Sequence, residues 1–214
     1  MKEKIQNKEL QEIVRRELNK TSFEEVTDED LNKIEYIRLP KYLINGRNTE
    51  ILVSSIKFFI NLKSVKFIGY TITDNDLQDI MEIDGLNQIE FERCNFEKVD
   101  FELFKDRKTK LIFFRCSSLP LNYFKAGKVH IDSMSVDFND IDFKQITELT
   151  IEHSIIKNAV DLDDYEQLEY VNFNDSKILN KDGTEYEDLI VPLGCKYSHV
   201  IHDKYPTDDY NQRR

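Results

Sequence analysis

Apolar residues recur along this chain in a phrase of eleven places. Places one, four, six and eleven are apolar, and place nine is often small or polar. The clearest copy has Leu168, Val171, Phe173 and Ile178 at the apolar places and Ser176 at the ninth. Side chains alternate along a strand with period two, so places four and six share one face of a short β-strand. The ninth residue is expected to turn the chain out of the strand and satisfy backbone groups inside the turn. The eleventh then drops back into the core. No copy can bury its apolar face alone, so the copies must stack in one continuous column.

Seven copies can be aligned, with first places at Ile34, Leu62, Leu86, Lys108, Ala126, Ile146 and Leu168. The first copy has Ile37, Leu39 and Ile44 at its later apolar places, and the second has Val65, Phe67 and Ile72. The third has Ile89, Phe91 and Phe96; the sixth has Leu149, Ile151 and Ile156. The fifth is short, with Val129, Ile131 and Val136. The fourth has two open registers. One turns Leu111 and Phe113 inward with Cys116 at the ninth place; the other turns Ile112, Phe114 and Leu119 inward. The first is preferred because it stacks Cys116 on Cys94, the ninth residue of the third copy. Elsewhere the ninth place holds Tyr42, Tyr70, Ser154 and Ser176.

Residues 1–33 read as a helical N-terminal cap. Leu10, Ile13, Val14 and Leu18 fall at helical spacing, and Thr27 precedes Asp28, Glu29 and Asp30 as a helix-start signal. The repeats occupy 34–180. The return from Asn48 to Leu62 reads as a helix, and Thr73 caps a second helix through Leu77, Ile80 and Met81. Later returns, such as 137–145, are short enough for 3₁₀ turns. A turn signal at Lys181-Asp-Gly-Thr184 then opens a C-terminal cap over 181–203, either a strand or a hairpin. Residues 204–214 are polar and read as a disordered tail.

The eleven-place phrase matches the leucine-rich repeat pattern. Together with the cap, the Val26-to-Leu31 segment and the Ile72-Thr73-Asp74 motif, it resembles the bacterial internalin-type leucine-rich repeat proteins over roughly residues 8–180. The resemblance implies a curved α/β solenoid. A parallel sheet would line its concave face, helices and 3₁₀ turns its convex face, and the sheet would grip other proteins. The chain departs from that family in its worn ninth-place ladder, its varied repeat lengths and its lack of a signal or wall anchor.

Composition narrows the function classes. The chain has 214 residues with a formal net charge of -11, which disfavours nucleic acid and anionic membrane surfaces and suits a basic protein partner. No apolar leader or membrane-length run is present, so a cytoplasmic protein is expected. Three cysteines without a C-x-x-C favour neither a disulfide framework nor zinc. His199 and His202 lack a third metal ligand at a known spacing. The acidic groups at 137–142 and 161–164 lack the glycine and closing glutamate of a calcium loop. No nucleotide or hydrolase motif occurs, so neither a cofactor nor catalysis is expected.

The binding surface is therefore sought at the third, fifth and seventh places, which point away from the core. The candidates are Tyr36 and Arg38, Lys66 and Ile68, Glu90 and Glu92, Ile112 and Phe114, His130 and Asp132, Thr150 and Glu152, and Tyr170 and Asn172. Ile68, Ile112, Phe114 and Tyr170 supply apolar or aromatic surface among charged groups, the composition of an interface anchor. An acidic immunity or inhibitor protein that neutralises a basic toxin or nuclease is the alternative reading.

Overall fold

A computed structural model describes residues 8–201 except 42, 45, 46, 49–52, 98, 100, 105–107, 118, 120–126, 187 and 188. In chain order the first strands are β1 (Tyr36–Pro40), β2 (Leu43–Ile44), β3 (Arg47–Asn48), β4 (Ser64–Ile68), β5 (Thr71–Thr73), β6 (Gln88–Glu92) and β7 (Asn95–Glu97). They are followed by β8 (Lys110–Phe114), β9 (Lys128–Asp132), β10 (Ser135–Asp137), β11 (Glu148–Glu152) and β12 (Ile155–Lys157). The last are β13 (Tyr170–Asn172), β14 (Lys177–Ile178) and β15 (Lys196–Ser198). Helices α1 (Lys8–Glu17), α2 (Asp28–Leu31) and α3 (Asp74–Met81) complete the set, with short 3₁₀ turns between.

Eight strands form one open parallel sheet in the order β1-β4-β6-β8-β9-β11-β13-β15, which is also their order in the sequence. The chain thus makes a solenoid-like stack in an α/β fold. The first seven strands of this sheet each begin two residues after a first place, and equivalent residues lie side by side. Ile37, Val65, Ile89, Leu111, Val129, Leu149 and Val171 form one row across the sheet. Leu39, Phe67, Phe91, Phe113 and Ile131 lie in the next row, and Ile151 continues it. Every member of both rows is buried, as is Phe173 at the sixth place of the last copy. The fourth copy takes the register that turns Leu111 and Phe113 inward, leaving Ile112 and Phe114 on the opposite face.

After each main strand the chain bends sharply. The eighth residues of the second to seventh copies are Gly69, Arg93, Arg115, Ser133, His153 and Asp175. All have φ between 48° and 77°, the left-handed region. Three ninth side chains, those of Cys94, Cys116 and Ser176, then turn inward and close hydrogen bonds on the preceding copy. The Cys94 thiol reaches the Phe67 carbonyl at 3.6 Å, the Cys116 thiol the Phe91 carbonyl at 3.3 Å, and the Ser176 hydroxyl the Ile151 carbonyl at 3.0 Å. At these three copies the sixth-place carbonyl of one copy is thereby tied to the ninth residue of the next. This fastens the column beyond what apolar burial supplies. Beyond the bend, β10, β12 and β14 form a second short parallel sheet, and β5 pairs with β7. These strands bring Ile72, Val136, Ile156 and Ile178 back into the core.

At the N-terminal end α1 packs on β1, with Leu10 and Val14 fully buried. Both predicted helix starts carry capping boxes: Thr27 with Asp30, and Thr73 with Asp76. Asp30 is buried, which pushes its carboxyl up. The ion pair with Lys20 at 2.5 Å and bonds from the Thr27 N–H and hydroxyl outweigh that and hold it at about 2.

One expectation needs correction. The described part of the 48–62 return is a 3₁₀ helix, Val53–Phe58, rather than an α-helix. Ile56 within it, and Phe59 and Leu62 in the successive turns that continue it, all face inward at intervals of three. At the C-terminal end, where a strand or a hairpin was expected, a strand is found: β15 joins the main sheet beside β13 as an eighth parallel strand. Ile190, Leu193, Val200 and Ile201 remain exposed there instead of packing over the seventh copy. Tyr42, Ala126 and the 204–214 tail lie outside the described residues.

Candidate functional site

The alternation that buries places four and six turns the third, fifth and seventh places to the other side of the sheet. The predicted site residues share this outer face, but they do not form one cluster. Tyr36 and Arg38 on β1 lie six strands from Tyr170 on β13, roughly 30 Å at about 4.8 Å per strand. Tyr36 and Arg38 are exposed. Lys66, Ile68, Glu90, Glu92, Ile112, Phe114, His130, Asp132, Thr150, Glu152 and Tyr170 are half-buried. Asn172 departs from expectation: it is buried, with 6% of its surface exposed. Its amide nitrogen lies 3.4 Å from a Glu152 oxygen, and the strands on either side leave it little solvent.

The middle of the face is apolar. Ile112 lies between Glu90 and His130, and Phe114 between Glu92 and Asp132. The guanidinium of Arg115 stands over the Phe114 ring, 4.8 Å from its centre, in cation–π geometry. On β4, Lys66 pairs with both Glu90 and Glu92, the latter at 2.9 Å. Burial works against the Lys66 charge, but the bonds to the two glutamates outweigh it and raise its pKa. Burial likewise pushes the Glu92 carboxyl up, and Lys66 reverses that to leave it below its ordinary value. On the other side, His130 meets Glu152 at 3.1 Å, and His153 meets Asp132 at 3.1 Å and Asp175 at 3.7 Å. Lys128 pairs with Glu148 at 2.5 Å near the start of the strands. Charged groups thus bind one another across neighbouring strands and frame the Ile112–Phe114 patch on both sides.

Arg115, His153 and Asp175 were not singled out from sequence, although they recur at the eighth place. The left-handed bend aims these residues along the edge of the face, beside the seventh-place row. Only Gly69 gives a conventional sequence signal for that conformation.

Among the described residues no group of three or more histidine, cysteine or acidic side chains could hold a metal ion, and no helix is long and apolar enough to cross a membrane. The three cysteines are free. Burial pushes the Cys94 thiol up to about 11 and the Cys116 thiol to about 12, so neither is a poised nucleophile. No protein-family model matches this chain, and no curated protein sequence matches it.

Proposed function

We propose that this protein is a noncatalytic leucine-rich repeat module of the internalin type that holds a protein partner against the outer face of its sheet. The repeat assignment is supported by the buried rows at places four and six, by the buried Ile34, Leu62, Leu86, Ile146 and Leu168 at place one, and by the inward Cys94, Cys116 and Ser176. The binding assignment rests on one observation: Ile112 and Phe114 stand side by side on the central strand β8, facing away from the core. A solvated sheet face favours polar residues there, and an aromatic anchor within a charged rim is the composition of an interface hot spot.

The test is affinity capture from the source cell with the intact chain and with Phe114→Glu. The wild type should retain a partner that the variant releases, while both keep the same thermal midpoint. A variant that retains the partner would overturn the assignment, and a collapsed midpoint would show Phe114 to be structural.

The net charge of -11 favours a second reading, an acidic inhibitor of a basic toxin or nuclease. In that case association should slow steeply as salt rises, because charge steering acts mainly on the on-rate.

A further inference from the structure

The two ends of the sheet are finished differently. α1 covers the β1 end, whereas β15 ends the strand order and no described strand pairs with its outer edge. The Lys196 N–H donates to the Glu169 carbonyl at 3.0 Å. The Ser198 and Val200 carbonyls accept from the Phe173 and Asp175 N–H groups at 2.9 and 2.7 Å. These alternate residues spend their backbone groups on the inner side. The intervening Tyr197 and His199 therefore direct theirs toward the open edge. The His199 ring meanwhile folds back to the Ser176 carbonyl at 3.0 Å.

Exposed apolar residues are concentrated in the same stretch of chain. Tyr197 is level with the fully buried Val171 but is 38% exposed. Ile190, Leu193, Val200 and Ile201 are exposed as well, so five of the eight exposed large hydrophobics among the described residues fall within 190–201. Single exposed apolar residues are ordinary, but a group of them marks a contact surface. Beside it lies a groove of about 640 Å³ whose lining includes Glu148, Glu166, Glu169, Tyr170, Leu193 and Lys196. Of its carboxylates, Glu148 is already paired with Lys128. With Glu148 so paired, Glu166 and Glu169 stand against Lys196, and the groove keeps a net negative charge.

We propose that this end receives an extended basic segment of another protein, added to β15 as a ninth strand. The outward backbone groups of Tyr197 and His199 recognise the segment's main chain, as in strand addition to an exposed edge. Leu193 and Tyr197 take its apolar side chains, and Glu166 and Glu169 take a lysine or arginine. A second copy of this chain is a poorer occupant, because it would bring together two molecules that each carry a net charge of -11. The surface is separate from the Ile112–Phe114 patch and does not depend on the function proposed for that patch.

The probe is a short fluorescent peptide of alternating valine and lysine, titrated against the full chain by anisotropy. It should bind. A valine–glutamate peptide and a valine–lysine peptide N-methylated on alternate amides should each bind at least about tenfold more weakly. Leu193→Asp combined with Glu169→Lys should weaken binding about tenfold, since both residues line the groove. Leu193 is fully exposed, so its replacement leaves packing intact. Phe114→Glu should leave probe binding unchanged, which separates this site from the outer face. Equal binding of the glutamate or N-methylated peptide would overturn the proposal, as would indifference to the double variant. A dimer through this edge in sedimentation, or binding only after removal of residues 202–214, would identify another occupant and overturn it too.

Discussion

Replacing Phe91 with alanine removes the middle ring of a stack that runs through the core. Phe91 is fully buried on β6, stacked on Phe67 at 5.8 Å and on Phe113 at 5.4 Å, with Phe96 edge-on at 5.2 Å. Truncating a buried phenylalanine to alanine costs roughly 3–5 kcal/mol, from lost transfer energy and the cavity left behind. Three ring contacts disappear together, each typically worth about 0.5–1.5 kcal/mol beyond area alone, which places Phe91 toward the upper end of that range. In a stacked array each copy is stabilised through its interfaces with its neighbours, and Phe91 serves two of them, β4–β6 and β6–β8. The expected loss is therefore about 4 kcal/mol, a large share of the roughly 5–15 kcal/mol that a domain has. Urea unfolding followed by circular dichroism reads it directly. Phe23→Ala is the control: that ring is 98% exposed, and its loss should move stability by no more than about 0.5 kcal/mol. A Phe91→Ala loss below about 1 kcal/mol would refute the stacked core.

Asp30→Asn should cost about 2 kcal/mol at neutral pH, the value of moving a carboxyl from its ordinary 3.8 to about 2. The folded pKa is depressed, so that stability is fully present above 3.8 and is lost as pH falls toward 2. The gap between wild type and variant should close over that window in thermal melts, and a gap constant with pH would contradict the Asp30 assignment. For the thiols, a maleimide at mildly alkaline pH should label half-buried Cys195 in the native chain and reach Cys94 and Cys116 only on unfolding. Native labelling of Cys94 as fast as Cys195 would refute its place in the turn ladder.

Much of the fold was legible because the apolar places carry it. Seven strands begin two residues after the first places read from sequence, and stacking Cys116 on Cys94 selected the register found for β8. The eighth strand was not legible as a repeat. Its core places hold Tyr197 and His199, and its exposed apolar residues belong to an edge rather than to a buried column. The left-handed bends escaped notice because Arg93, Arg115, Ser133, His153 and Asp175 have no local preference strong enough to announce them; the cross-strand ladder holds them there. The return at 53–58 was misread because apolar residues three apart fit a 3₁₀ turn as readily as an α-helix. The site was legible as a face and not as a centre. Period-two alternation assigns the outer residues, but it does not show that Lys66, His130 and His153 tie their neighbours together around Ile112 and Phe114. Nor does it show that Asn172 is closed off between strands.

The central claim is that the Ile112–Phe114 patch is a binding surface rather than part of the core. Titrating the captured partner into wild-type protein and Phe114→Glu by calorimetry, with the thermal midpoint of each measured alongside, tests it most directly. The account predicts a loss of at least about 2 kcal/mol in binding, the scale of an interface hot spot, with the midpoint nearly unchanged. Unchanged affinity, or a midpoint that falls as far as that of Phe91→Ala, would contradict it.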